Sequence, residues 1–160
     1  MRRSSLSIGG AWLCLALNHA IAADSHHAQH HAPAADTRTV LALMPAERVM
    51  ILEEMRLFLD GVQKMTAALA KPDMAAVANV ARNMGQKMVH EVPPELRAKL
   101  PQEFRQLGFS VHREFDQIAL DADSLQDVSH SLNQLSATLK KCVSCHATYQ
   151  IQTPILNDTH

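Results

Sequence analysis

The chain has 160 residues, with 15 Lys and Arg against 16 Asp and Glu and a formal net charge of −1. That balance leaves no electrostatic footprint for nucleic acid, and the length suits one domain. With 47% apolar residues, only 5 Gly, and abundant Ala, Leu, Met and Gln, the composition favours helices around an ample core.

Arg2 and Arg3 make a short basic start, Ile8 to Leu17 a small apolar core, and Ala20-Ile21-Ala22 an A-x-A cleavage signal. The apolar run is far shorter than the roughly 20 residues of a membrane span. Residues 1–22 therefore read as a secretory signal peptide cleaved near Ala22, with no membrane span expected. Cys14 lies inside it, and Ala11-Trp12-Leu13 lacks the small residues of a lipoprotein signal. The paired arginines also suit twin-arginine export, but that route carries folded cargo, so the general secretory route is preferred. Cleavage lowers the basic total from 15 to 13 against 16 acidic residues, a net charge near −3.

Residues 23–40 follow as a flexible tail. Asp24 to Asp36 carries His26, His27, His30 and His31 among Ala, Pro, Ser and Gln, without apolar periodicity. The imidazoles can bind Cu, Ni or Zn weakly. Composition favours the plainer reading, a solvated linker with adventitious metal binding.

Four helical segments follow within a domain spanning 41–152, with 153–160 as a C-terminal tail. Each repeats its apolar residues at steps of three and four. Helix one, Pro45 to Ala70, has Leu52, Met55, Leu59, Val62 and Leu69 on one seam and ends before Pro72. Helix two, about Met74 to Val89, carries Val77, Val80 and Met84 and stops before Pro93-Pro94. Helix three starts near Pro101 and carries Phe104, Val111, Phe115 and Ile118. Helix four opens at Ser124 as N-cap and shows Leu125, Val128, Leu132, Leu135 and Leu139, with Cys142, His146 and Tyr149 continuing the seam. His146 is thus expected to point into the core. The fold class is all-α, an antiparallel up-down-up-down four-helix bundle.

Within helix four the chain reads Cys142-Val143-Ser144-Cys145-His146, the C-x-x-C-H spacing that attaches a c-type haem. Two thiols three residues apart project to one side of a helix, and each can add to a haem vinyl group. The adjacent imidazole then reaches the iron as proximal ligand. A zinc half-site lacks further ligands, because Cys14 lies in the signal. A reactive dithiol gains from a helix N-terminus, whereas this pair lies near a C-terminus. One covalent haem c is therefore expected. Its attachment needs reduced thiols after export, which suits the bacterial periplasm. The bundle topology puts Leu52, Met55, Met84, Met88, Phe104, Leu107 and Val111 at the haem end.

A four-helix chain with C-x-x-C-H in its last helix, followed three residues later by an aromatic, Tyr149, resembles the class II c-type cytochromes. These include the cytochromes c-prime and their low-spin relatives. The resemblance covers roughly Leu41 to Gln150 and implies that a helix-one residue faces the iron opposite His146. A Met there implies a six-coordinate electron carrier, and Leu, Phe or Tyr a five-coordinate gas-binding protein for NO or CO. Met55 takes that position, on the seam at the correct end. Met50 lies off the seam, and Met84 and Met88 are rivals. The resemblance further implies pocket roles for Leu52, Phe104 and Tyr149, and a basic residue one turn before the distal position, where this chain has Ile51. Arg48 is the substitute propionate contact, with Arg56 second. Redox partner proteins are implied, and a homodimer is allowed.

His112, on the flank of helix three, is either a sixth iron ligand or a hydrogen-bonded structural histidine, the second being favoured. His90 and His130 read as surface residues. No nucleophile, base and orienting acid stand together, so the chain is not read as an enzyme. Electron transfer and gas binding remain as the two functions, in that order.

Overall fold

A strand of four residues, β1 (Thr39–Ala42), opens the described chain, where the sequence reading expected none. The structure is a computed structural model and describes residues 35–89 and 92–154. The expected signal peptide, Cys14, the histidine cluster at 26–31, His90 and the final residues 155–160 lie outside the described residues. Among the described residues, five helical segments longer than one turn and one single-turn helix follow β1, and β2 (Tyr149–Gln152) is the last regular element. The fold is all-α in character. β1 and β2 pair in parallel, Thr39 opposite Tyr149 and Leu41 opposite Ile151. Regular structure is therefore present ahead of the boundary at residue 41 expected from sequence.

Helix α1 runs over Pro45–Leu69, within one residue of expectation. Pro45 presets the φ of the first helical position, and the Glu47 carboxylate accepts from the Met44 N–H at 2.9 Å. Its packed face is Ile51, Gly61, Met65, Ala68 and Leu69, of which only Leu69 belongs to the expected seam. Leu59 is 71% exposed, Leu52 and Met55 are half-buried on the flank, and Val62 is half-buried against the main core. Close approach decides the matter. A Cβ on Gly61 would overlap the Met84 sulfur, so α1 meets the following helix through its smallest residue.

Asp73 caps α2 (Met74–Asn83) by accepting from the Ala76 N–H at 3.0 Å. Helix two of the sequence reading is broken at Met84-Gly85, and the turn α3 (Gln86–Val89) resumes it. Gly85 is required there, because a Cβ would overlap the Asp116 carboxylate, which accepts from the Gln86 N–H at 3.0 Å. A short helix, α4 (Pro94–Lys99), precedes α5 (Gln102–Leu125). Gln126 ends α5 in the left-handed region at φ 55°.

Helix α6 (Val128–Thr148) does not open at Ser124. The Ser124 hydroxyl donates back to the Leu120 carbonyl within α5, and Asp127 is the cap, accepting from the His130 N–H at 3.0 Å. Close packing runs in chain order, α1 on α2, α2 on α5 and α5 on α6. The main core joins Met65, Val77, Ala81, Phe115, Ile118 and Leu135. A smaller core at the strand pair joins Leu41, Leu43, Ile51, Leu96 and Leu100, with Phe104, Tyr149 and Ile151 packed against it. Among the described residues no helix is long and apolar enough to cross a membrane.

Candidate functional site

The residues buried on α6 are Ser131, Leu135 and Thr138. Steps of four, three, four and three carry that stripe on to Cys142 and Cys145, both half-buried and free. Ser131 and Thr138 are small enough to bring α6 onto α5, so this stripe is the packed one, and of the expected seam it takes Leu135 and Cys142. Other leucines of that seam are turned outward: Leu132 is 46% exposed and Leu139 37%. Val143 and His146 continue that outer stripe at i+11 and i+14 from Leu132. His146 is accordingly exposed, not inward as its place on the expected seam suggested. The thiols thus issue from the packed stripe and the imidazole from an exposed apolar one.

Burial raises both thiols above their usual range, with Glu114 adding to the effect at Cys142 and Cys142 adding to it at Cys145. Neutral thiols are poor nucleophiles and poor metal ligands without an activating partner. Among the described residues, no three His, Cys, Asp or Glu side chains gather as a metal-binding group. Next to the motif, Lys141 pairs with Glu114 at 2.6 Å and donates to the Ser110 hydroxyl at 2.9 Å, tying α6 to α5.

The two aromatic residues assigned to the pocket do meet. Phe104 and Tyr149 pack edge to face with centroids 5.2 Å apart, which joins the start of α5 to the chain after His146. Leu52 and Met55 lie half-buried on the apolar flank of α1. Ile51 is buried in the smaller core, so this chain spends on packing the place where the resemblance implies a basic residue. Arg48 is exposed on the first turn of α1, and Arg56 is paired with Glu53 at 2.9 Å.

Met50 is 40% exposed, which agrees with its off-seam position. Met84 is buried with its sulfur against Gly61, on the face of α1 that meets α2, and Val111 is likewise turned into the main core. These two do not join Met55. Met88 is buried too; with Met84, Leu57 and Gly61 it lines a groove of about 280 Å³ between α1 and α2 that includes none of the cysteine-motif residues.

His112 is a structural residue. It is buried, its Nδ1–H donates to the Met84 carbonyl at 2.9 Å, and Nε2 lies 3.1 Å from a Glu54 oxygen. Phe58 packs on its ring at 4.9 Å. Both nitrogens are committed, so the favoured sequence reading holds for this histidine. His130 is part-exposed and bonded through Nε2 to Asp121 at 3.2 Å.

One residue at the motif has no counterpart in the sequence reading. Arg38, in the stretch assigned to the tail, donates from Nη1 to the carbonyls of His146 at 3.1 Å and Tyr149 at 3.4 Å. With Arg38 and His146 108 positions apart, no local spacing signals the contact. Only the β-type run Thr39-Val40-Leu41 hinted that ordered structure begins this early.

Comparison of the chain with protein-family models finds no match, and neither the curated proteins nor the solved structures contain a chain similar to it at a significant level.

Proposed function

We propose that the chain is an exported, periplasmic c-type haem protein that transfers electrons. In this reading Cys142 and Cys145 hold one haem c through thioethers, His146 is the proximal iron ligand and Met55 the distal one. The observation that carries it is the pair of unpacked apolar flanks. Leu52, Met55 and Leu59 lie on α1, and Leu132, Leu139, Val143 and His146 on α6, while the close helix contacts of these two are with α2 and α5. Each flank carries one candidate ligand, and a large apolar macrocycle is the kind of group that two such flanks bury. In the four-helix bundle we infer, α1, α2 with α3, α5 and α6 are the four members, and residues of the first and the last would hold the haem.

The donor set fits the group. Cys142 and Cys145 would each hold it by addition of S–H across one vinyl C=C, sulfur to one carbon and hydrogen to the other, a linkage that needs no oxidant. Bound haem supplies a one-electron couple. The chain's part is to fix the imidazole and thioether, to exclude water with Leu52, Leu139 and Val143, and to leave the edge near Val143 accessible to a redox partner protein. Phe104 and Tyr149 close the end of the site. The His-rich segment is proposed to bind Cu, Ni or Zn only weakly.

Mass spectrometry of the exported protein, made with a working haem-attachment system, tests the reading. One added haem that survives acid denaturation and is lost in Cys142→Ala/Cys145→Ala is expected. A chain of unmodified mass overturns it. The ferrous spectrum then separates the functions: low-spin and unchanged by CO is expected of the carrier, whereas a high-spin spectrum that shifts on CO assigns gas binding instead.

A further inference from the structure

The last carbonyls of a helix have no partner within it. At the end of α6 two of them, on His146 and Tyr149, are met by a single guanidinium from the other end of the domain. Arg38 is held in turn by Asp36, whose carboxylate accepts from Nε at 2.9 Å and from Nη2 at 2.6 Å and also takes the Arg38 backbone N–H at 3.1 Å. The Arg38 carbonyl accepts from the Gln150 side chain at 3.0 Å. Pairing of β1 with β2 begins at the next residue, Thr39 opposite Tyr149. The planar fork of Arg, with its several fixed donors, suits this task, since a Lys ammonium is a point charge on a flexible stem.

We propose that the Asp36–Arg38 pair is a positioning device for His146: Arg38 fixes the backbone of the ligand's helical turn, and the pair's two charges set the field at the iron. This rests on the haem reading. Arg38 is the nearest fixed cation to the ligand's backbone, and Asp36 offsets it. A cation beside the site opposes the extra positive charge of the ferric state and so raises the potential; an anion lowers it. The two members of the pair therefore act in opposite directions on one observable. A role confined to bracing the fold would move the potential the same way whichever member were removed.

The test is the midpoint potential of haem-loaded Arg38→Gln, Asp36→Asn and the double variant. Arg38→Gln leaves an unpaired carboxylate, so its potential falls. Asp36→Asn leaves an uncompensated guanidinium still able to reach both carbonyls, so its potential rises. The double variant returns close to wild type, and Arg38→Lys recovers most of the Arg38→Gln shift. The shifts shrink as ionic strength rises, because both side chains are about two-fifths exposed, at 41% and 43%. Shifts of one sign in both single variants, or none in a protein with haem attached, overturn the inference alone. If Arg38→Gln fails to load haem, the rise expected in Asp36→Asn still decides. Wild-type protein without covalent haem overturns the functional reading and this inference with it.

Discussion

Two side chains of opposite character carry the residue-scale argument. Met55 is half-buried on α1, away from the residues of its packed face, and its thioether can ligate both ferrous and ferric iron. Met84 shows the ordinary use of methionine, filling the gap over Gly61 in the core. Exchange of sulfur for carbon separates the two roles. In haem-loaded protein, Met55→Leu conserves volume and disturbs folding little, costing under about 1.5 kcal/mol. It should abolish the weak near-infrared thioether-to-iron band, admit CO and lower the potential, while Met84→Leu leaves all three unchanged. An unaltered ligand-field spectrum in Met55→Leu removes it from the iron and brings gas binding forward.

Among the elements, α6 best shows how a helix acquires its direction. Its start is set by Asp127, not by Ser124, since the left-handed turn at Gln126 separates the two helices. The aspartate satisfies an otherwise unpartnered N–H and places a negative charge at the positive end of the helix. Asp127→Ala should cost about 1 kcal/mol of stability, within the usual range for a lost N-cap. Ser124→Ala should be near neutral, its hydroxyl only bonding back within α5. Urea midpoints of the two variants check this, and equal losses would return the cap to Ser124. At its other end α6 stops where Tyr149 turns extended, at φ −119° and ψ 147°, and enters β2. The cysteine motif therefore occupies the final turns of a helix clamped at both ends.

For the whole molecule, ion pairs and hydrogen bonds complement the two cores, and their acids share one pH signature. The Arg38 hydrogen bond lowers Asp36 from 3.8 to about 2. Lys99 lowers Glu47, and His130, with Gln134 and Gln117, lowers Asp121. Each acid binds its proton less readily folded than unfolded. Their contribution is fully present above the ordinary carboxylate values of 3.8 and 4.5 and is lost as pH falls through the lowered folded values. Helicity followed against urea should therefore give a steady midpoint from pH 7 to about pH 5 and a declining one toward pH 2. The carboxyl resonance of Asp36 should titrate last, and a titration near 4 would dissolve the pairing with Arg38.

The cysteine motif, the helix limits of α1 and the helical class of the fold were legible in the chain, because covalent spacing, proline positions and three-four periodicity are local properties. The periodicity also found the apolar stripes of α1 and α6 but could not tell which apolar residues face a neighbouring helix. That choice belonged to tertiary packing. Gly61 on α1 and Ser131 and Thr138 on α6 allow the closest helix approach, so the stripes containing them were buried and the leucine-rich stripes, with Met55 and His146, were left on the flanks. The break at Gly85 likewise depends on a carboxylate 31 positions away, Asp116, and the clamp on His146 on a guanidinium from the far end of the domain. Contacts of that separation leave no mark on local sequence, since they exist only once the intervening helices have folded the two ends of the domain together.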